Sequence, residues 1–235
     1  MRSWSYGATL GWAALAFLIG QVVALVAVIG WRPQLLHSFV STPYDGVLIT
    51  TFLFISNPIT IAVLALAARL APADVFDYLG LRWPPPRSLT IGIAGLVVLI
   101  AVSDALLYFT GQDLVTPFQT QSYSSAAAQG WLPAMLVATI IIAPAGEEVM
   151  FRGFLFRGWV RSDRVAWPAI AVISVLWAAL HIQYDWAGVL QIFVVGLFLG
   201  WIRRRSGSTL STFLLHALFN LEGTTETMLQ MQFLS

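Results

Sequence analysis

Long apolar runs separated by short polar segments follow one another along the chain. Several reach the length of about 20 residues that spans the hydrocarbon core of a bilayer. They do not alternate between polar and apolar residues, as the strands of a membrane β-barrel would. The pattern therefore predicts an all-α fold, a polytopic transmembrane helical bundle of seven to eight spans. The predicted spans cover approximately residues 8–29, 47–70, 89–109, 131–159, 165–182, 187–202 and 209–221, with part of a further helix expected in 222–235.

The polar segments between the runs predict the connections of the bundle. The first contains His37, for which we predict no functional role. Residues 71–88 carry charges and a run of three prolines, which predicts a stiff polar connector. Residues 110–130 are rich in Gln, Ser and Ala, which predicts a loop. Inside the second span, the pair Asn57 and Pro58 predicts a kink, because proline removes a helical hydrogen bond.

The arginines indicate an orientation in the membrane. All 12 basic residues are arginine, and in a seven-span arrangement nearly all of those in loops fall on one side of the membrane. Basic loops are retained in the cytoplasm, so the N-terminus is predicted to be cytoplasmic. The side richer in arginine contains Arg2, Arg82, Arg87, Arg157, Arg161, Arg164 and Arg203 to Arg205, whereas Arg32 lies on the other.

Composition supports a membrane protein and excludes some chemistry. The chain has 235 residues, of which 58% are hydrophobic and 10% charged, whereas roughly a quarter of the residues in a soluble domain are charged. There is no cysteine, which excludes disulfides and thiolate metal ligands. A net charge of +1 without a basic patch beside stacking aromatics gives no support for a nucleic-acid partner. Lipid is the expected surrounding.

Ionisable and amide groups interrupt several predicted spans. A charge at the bilayer centre costs roughly 2.5–3.5 kcal/mol on insertion scales, and such groups mark functional sites by default. The lowest-cost arrangement places them facing one another inside the bundle. The groups are Asp104, Glu147, Glu148, Arg152, His181, His216 and Asn220.

The spacing of the charged residues separates two glutamates. Glu148 and Arg152 are four residues apart, so they share a helix face and are expected to form an ion pair. Glu147 lies about 100° around the helix from Glu148. It therefore remains available to face the bundle interior as a general base or acid. Asp104 lies near the end of its span, where we favour a structural role at the interface.

His216 and Asn220 also lie four residues apart on one helix face. Their two N–H donors, converging on one point, would hold a developing oxyanion. The alternative is that they join helices by hydrogen bonds, as polar residues do in membrane bundles. His181 taken alone fits an interfacial histidine, although its combination with a carboxylate, a second imidazole and an amide favours a joint site.

Three motifs in this order resemble those of a known family. Two glutamates, three variable residues and an arginine form the first, from Glu147 to Arg152. The second is an aromatic residue four positions before a histidine, here Trp177 and His181, where the family usually has Phe. The third is His216 with Asn220. Over about residues 131–223 the chain resembles the CAAX-protease and bacteriocin-processing family of intramembrane proteases, also called the Abi family, and is similar to type II CAAX prenyl endopeptidases.

The resemblance implies an intramembrane endopeptidase without a covalent intermediate. It implies a membrane-associated peptide or protein substrate, lipidated or not, since the prenyl specificity of some members does not follow from the motifs. It implies that water is activated by a glutamate and a histidine, and that a histidine and an asparagine stabilise the oxyanion. These catalytic roles fall on Glu147, His181, His216 and Asn220, and supporting roles fall on Glu148 and Arg152.

The resemblance also divides the chain. Residues 131–223 are predicted to be the catalytic core, residues 1–130 are N-terminal spans that match the family poorly, and residues 224–235 are a short C-terminal segment. Simple loop counting places Glu147 and His216 nearer the cytoplasmic side and His181 towards the other. We expect tilt or a shifted span boundary to bring them together.

Three alternatives stay open. Glu147, His181 and His216 with a water would form a catalytic zinc set, although the usual helix signature with two histidines around a glutamate is absent. We favour metal-free catalysis, with no cofactor. The second alternative is a non-catalytic membrane scaffold or immunity-type protein. The third is a proton-relaying transporter that uses Asp104 and the site residues, against which the chain lacks paired repeats with broken helices.

Overall fold

The computed structural model describes residues 3–33, 44–71 and 73–234, and every regular element among them is a helix. The predicted all-α fold is confirmed. His37 lies outside the described residues. The helices are α1 (Tyr6–Trp31), α2 (Gly46–Leu70), α3 (Val75–Leu79), α4 (Pro86–Thr110), α5 (Pro117–Ala128), α6 (Leu132–Trp159), α7 (Asp163–Ala179), α8 (Trp186–Ser206) and α9 (Thr209–Leu234).

Five of the described helices are long and apolar enough to cross a bilayer, namely α1, α2, α4, α6 and α8. Helix α7 has 17 residues, fewer than the about 20 that a perpendicular span needs. Helix α9 has 26 residues and mixes apolar positions with Thr, Gln and Glu. The chain is therefore a multi-span membrane protein, and the predicted count of seven to eight spans is not confirmed.

The predicted loop over residues 110–130 is wrong, because α5 occupies most of it. Thr116 and Gln119 form a capping box at its start, in which the Gln119 side chain accepts the Thr116 backbone N–H at 2.9 Å. Few large apolar residues occur in this helix, so it gave no periodic signal. The connector before α4 likewise contains the short helix α3, and α9 continues unbroken through the segment in which a separate helix was expected.

The two ends of the bundle carry opposite charge. At one end Trp4 donates its indole N–H to the Ala67 carbonyl at 3.0 Å, and Arg204 pairs with Asp163 at 2.7 Å. We call this the arginine end; it holds Arg69, Arg82, Arg87, Arg157, Arg161, Arg164 and Arg203 to Arg205. At the opposite end, the acidic end, Gln119 on α5 donates to Thr227 on α9 at 3.4 Å. The acidic end holds Asp45, Asp104, Asp113, Asp185, Glu222 and Glu226.

Helix α6 lies at the centre of the bundle, where its C-terminal half is buried on all sides. Phe151 and Phe154 are at most 2% exposed and belong to one apolar core with Ile170, Leu199 and Leu215 from three other helices. Apolar side chains on every side of this half of α6 pack against other helices. This packing fixes the positions of the charged residues that α6 carries.

Helix α6 departs from regular α-helical geometry on both sides of its two glutamates. Residues Ala138–Ile142 and Val149–Leu155 are π-helical, and one regular segment, Ala143–Glu148, separates them. Pro144, which has no N–H to donate to the preceding turn, lies directly after the first π-helical segment. Short π-helical insertions are rare and occur frequently at functional sites.

Helix α2 passes very close to α6 beside the glutamates. A Cβ atom added at Gly146 would lie 2.0 Å from the Asn57 Oδ1 atom, so only glycine allows this contact. Asn57 also donates to the Leu53 carbonyl one turn earlier at 3.2 Å. The helix continues through Pro58 without interruption.

Candidate active site

A cavity of about 240 Å³ lies between the helices and extends towards the acidic end. Side chains from α2, α4, α5, α6, α7, α8 and α9 line it, together with the segment that joins α7 to α8. Glu147, His181, His216 and Asn220, which lie on distant parts of the sequence, all contribute to its wall. The structure therefore brings the four predicted catalytic residues to one shared space.

Glu147 projects into the cavity and has two neighbours there. Its Oε2 atom accepts the indole N–H of Trp177 at 2.5 Å, and His181 Nε2 lies 4.0 Å from the same oxygen. The side chain is 23% exposed, whereas that of Glu148 is 1% exposed. Of the two adjacent glutamates, only Glu147 is accessible to a reacting molecule.

His181 is oriented by the backbone of the last turn of α7. Its Nδ1 atom lies 2.9 Å from the Trp177 carbonyl oxygen, just beyond the end of α7. A carbonyl oxygen only accepts, so Nδ1 carries the proton, and in the neutral ring Nε2 keeps its lone pair. That lone pair faces the Glu147 carboxylate. Because α7 is short and ends at Ala179, His181 meets Glu147 inside the bundle rather than at its far surface.

A second set of buried groups lies behind the cavity wall. The Glu148 Oε1 atom accepts from Arg152 Nη1 at 2.8 Å and from His216 Nδ1 at 3.0 Å. Arg152 also donates to the Gly196 carbonyl on α8 at 3.3 Å. The structure thus contains the ion pair that the four-residue spacing predicted, and the same carboxylate orients His216, 68 residues further along the chain.

His216 and Asn220 occupy consecutive turns of α9. Because Glu148 accepts a hydrogen bond from the Nδ1–H of His216, the ring nitrogen left for the cavity is Nε2. Donation from Nε2 as well requires the ring to carry both protons. Asn220 gives one amide N–H to the Thr139 carbonyl in the first π-helical segment of α6 at 2.8 Å, which leaves the second amide hydrogen as a donor.

Trp177 contacts Glu147, both histidines and Arg152, and is 1% exposed. Its ring centroid lies 5.4 Å from that of His181 and 5.1 Å from that of His216, both edge to face. The Arg152 guanidinium lies 4.3 Å from the ring centroid. Sequence reasoning assigned this residue only an aromatic role and missed its N–H donor. The sequence feature that could have indicated this donor is Trp at a position where the family usually has Phe.

The mouth of the cavity is acidic. The carboxylate oxygens of Asp104, Glu222 and Glu226 lie within 4.8 Å of one another, and Asp113 and Asp185 also line the cavity. No arginine among the described residues lines it. Asp104 was interpreted from sequence as a structural interfacial residue. The other two acids were missed, although their four-residue spacing places them on one face of α9.

Tyr184 closes part of the cavity between α7 and α8. Its ring stacks on His181 at 6.2 Å between centroids and meets Phe118 of α5 edge to face at 5.4 Å. Burial raises the pKa of Tyr184, and the nearby Tyr123 and Glu147 add to this effect.

Glu147, His181 and His216 are the ligands of the zinc alternative. Zinc binds its nitrogen and oxygen ligands at about 2.0–2.2 Å, so ligating atoms must approach one another closely. Glu147, His181 and His216 do not form such a cluster among the described residues. His181 Nε2 is 4.0 Å from Glu147 Oε2, a separation that two ligands of one zinc ion can have, and this oxygen also accepts the Trp177 indole N–H.

The fold and the site together define a multi-span membrane protein with a polar cavity built from carboxylate, imidazole and amide groups. Residues 129–221 match the family model described as type II CAAX prenyl endopeptidase Rce1-like. An "Uncharacterized 24.3 kDa protein" of Escherichia coli is 30% identical over 156 residues, which are 61% of this chain and 69% of that protein. No solved structure matches the chain.

The chain belongs to the Rce1-like family of type II CAAX prenyl endopeptidases. The predicted membership is confirmed, and all three motifs fall within the matched residues. Membership supports a protease of the CAAX type in the membrane. The division of the chain into N-terminal spans, core and C-terminal segment remains a prediction.

Proposed function

We propose that the chain is an intramembrane endopeptidase in which Glu147 activates water without a metal ion. The observation that carries this proposal is the shared cavity, in which one accessible carboxylate lies beside an imidazole lone pair, with amide and imidazole donors on the opposite helix. Family membership supplies the reaction class, and the geometry supplies a role for each group.

In the proposed reaction, a water molecule contacts both Glu147 and the Nε2 atom of His181. Glu147 takes a proton from this water while the oxygen attacks the carbonyl carbon of the scissile peptide bond. The carbonyl oxygen becomes an oxyanion that receives N–H donors from His216 and Asn220. When the tetrahedral intermediate collapses, the carbon–nitrogen bond breaks and the proton held by Glu147 passes to the leaving amine.

Glu148 and Arg152 support this arrangement without contacting the substrate. Their buried pair keeps the Nδ1 side of His216 occupied, so that the ring presents Nε2 to the oxyanion. This is the supporting role that the resemblance implied for both residues.

We further propose that α7 and α9 cross the membrane together with the five long apolar helices, giving seven spans. Helix α7 begins at the arginine end, where Asp163 pairs with Arg204, and α9 runs from that end to the acidic end. The N-terminus would then be cytoplasmic by the positive-inside rule. The substrate would be a membrane-associated peptide or protein, with or without a lipid, that enters the cavity between the helices.

The deciding experiment is Glu147→Gln in the full chain reconstituted into liposomes. One probe is an internally quenched farnesylated peptide ending in Cys, two aliphatic residues and a variable residue; the same peptide without the farnesyl group is the second. Comparison of the membrane peptidomes of cells that express the wild-type chain or Glu147→Gln identifies further substrates. We expect cleavage to fall at least about 100-fold, because the general base is lost. The control, Asp163→Asn at the arginine end, is expected to cleave normally.

Cleavage by Glu147→Gln at the wild-type rate would reject Glu147 as the base, whereas no cleavage by either form would favour a non-catalytic scaffold. Metal analysis separates the two chemistries. Full activity of chelator-treated, metal-free protein is expected, whereas activity that disappears with zinc and returns with it would favour the alternative set of Glu147, His181 and His216.

A further inference from the structure

We infer that Trp177 is a positioning residue for the base, through an indole N–H that holds the Glu147 carboxylate in place beside His181. The inference rests on the proposed function of Glu147. It assigns to the second motif a hydrogen-bonding role that phenylalanine at the same position has no atom to perform.

The hydrogen bond joins the indole N–H of Trp177 to a carboxylate oxygen of Glu147. The indole Nε1–H is a donor only, and an ionised carboxylate is an acceptor only. They meet at 2.5 Å, with Trp177 itself 1% exposed. Hydrogen bonds to charged groups are shorter and stronger than neutral ones. Water does not compete for the indole N–H at this burial.

The indole ring is held on several sides, so its N–H direction is fixed by packing. The Arg152 guanidinium lies over the ring, and the imidazoles of His181 and His216 meet it edge to face. Helix α8 approaches closely at Gly196, where an added Cβ would lie 3.2 Å from Trp177 Cε3. The ring cannot turn without disturbing these contacts.

The contact makes the two oxygens of Glu147 unequal. Oε2 holds the indole, whereas Oε1 receives no hydrogen bond from the described residues. His181 Nε2 is 4.0 Å from Oε2, beyond direct hydrogen bonding but within reach of a shared water. The indole thereby fixes the orientation of the Glu147 carboxylate, so that a water bridging it to His181 has a defined position.

The test removes the N–H and keeps the ring. Trp177 is replaced in the full chain by benzothienylalanine, in which sulfur takes the place of the N–H, and separately by Phe. Trp167, exposed on the same helix α7, receives the same two replacements as matched controls. The assay uses the liposome system described above and a peptide that the wild-type chain cleaves and Glu147→Gln does not.

We expect kcat to fall about tenfold or more in both Trp177 variants, since a hydrogen bond to a charged group is lost. KM should stay within about twofold and the melting temperature near that of the Trp167 controls, because the substrate does not contact the indole N–H. If the role of Trp177 were only structural, its replacement by Phe would lower stability. The benzothienylalanine variant, which keeps the bicyclic ring, would then retain the wild-type kcat.

A second readout does not depend on activity. The indole N–H resonance that disappears in Trp177→Phe is assigned to Trp177, and it is expected to shift in Glu147→Gln while the Trp167 resonance does not. Wild-type kcat in the benzothienylalanine variant, or an unshifted resonance, would overturn the inference. If Glu147→Gln loses cleavage while the Trp177 variants keep the wild-type kcat, the inference about Trp177 is overturned and the proposed function stands. Unchanged cleavage in Glu147→Gln would overturn the proposed function.

Discussion

Two consecutive residues of α6, Glu147 and Glu148, occupy opposite environments. The first opens into the cavity and accepts the Trp177 N–H, and the second is fully buried between Arg152 and His216. Their difference of about 100° around the helix axis explains this separation. A single sequence motif therefore combines an accessible acid with a structural ion pair.

Glu148→Gln should destabilise the protein far more than Glu147→Gln does. Loss of one partner leaves the buried Arg152 charge uncompensated, which costs about 3–5 kcal/mol. Glu147 is partly exposed and bears no ion pair with Arg152, so its amide should be tolerated within about 1 kcal/mol. Reversible unfolding of both variants in the same detergent measures the difference. Equal stability of the two variants would contradict the structural role given to Glu148.

At the scale of elements, close approach of α2 to α6 sets the position of the catalytic turn. Gly146 precedes the proposed base and faces Asn57 without intervening space. The π-helical segments on both sides change the helix register at this point. The position of Glu147 relative to α7 therefore depends on how α2, α6 and α7 pack, more than on the local sequence.

Gly146→Ala is expected to lower the free energy of unfolding by about 1–3 kcal/mol, the typical cost of overpacking. The added methyl would lie 2.0 Å from Asn57 Oδ1, so α2 or α6 must move. Combining it with Asn57→Ala should recover part of the loss. Gly30→Ala in α1 is the control, because nothing lies within 4 Å of its added Cβ. Equal stability of the two single variants would refute the close contact.

At the scale of the whole molecule, charge separates along the bundle axis. The cavity extends towards the acidic end, away from the arginine end. With the arginine end in the cytoplasm, the cavity would open towards the opposite side of the membrane. The absence of cysteine from the chain makes this orientation directly measurable.

Single cysteines at Ser162 and Gln129 test the orientation. Both residues are exposed, the first at the arginine end and the second at the acidic end. In intact spheroplasts a membrane-impermeant maleimide should label Gln129→Cys, whereas Ser162→Cys should react only after permeabilisation. The reverse labelling pattern would place the N-terminus on the other side and turn the cavity towards the cytoplasm.

The acidic mouth should select substrates by charge. We expect peptides with Lys near the cleaved bond to be cut more efficiently than otherwise identical peptides with Glu, since an acidic cavity attracts cations. The preference in kcat/KM should weaken at high salt. It should also weaken in a variant with Asp104→Asn, Glu222→Gln and Glu226→Gln, whereas Asp163→Asn should keep it. A preference for Glu would show that the mouth does not steer substrates.

Much of the fold could be predicted from the sequence, because apolar length and helical spacing are local properties. The runs of α1, α2, α4, α6 and α8 are long enough to specify helices by themselves. The four-residue spacing of Glu148 and Arg152 predicted a pair that the structure contains. Helix α5 was not predicted, because its Gln, Ser and Ala residues show no helical periodicity of apolar positions. Its position is explained by its contacts with α2 and α9.

The sequence by itself determined that the chain lies in a membrane, which residues carry polar groups into it, and which of them share a helix face. Only the tertiary structure decided that Trp177 donates to Glu147 across 30 residues, and that His216 meets Glu148 across 68. It alone brought Asp104 to Glu222 and Glu226. Spacing along a helix fixes neighbours within that helix, whereas contacts between helices depend on their crossing angles, depth and register, which packing of the whole bundle sets.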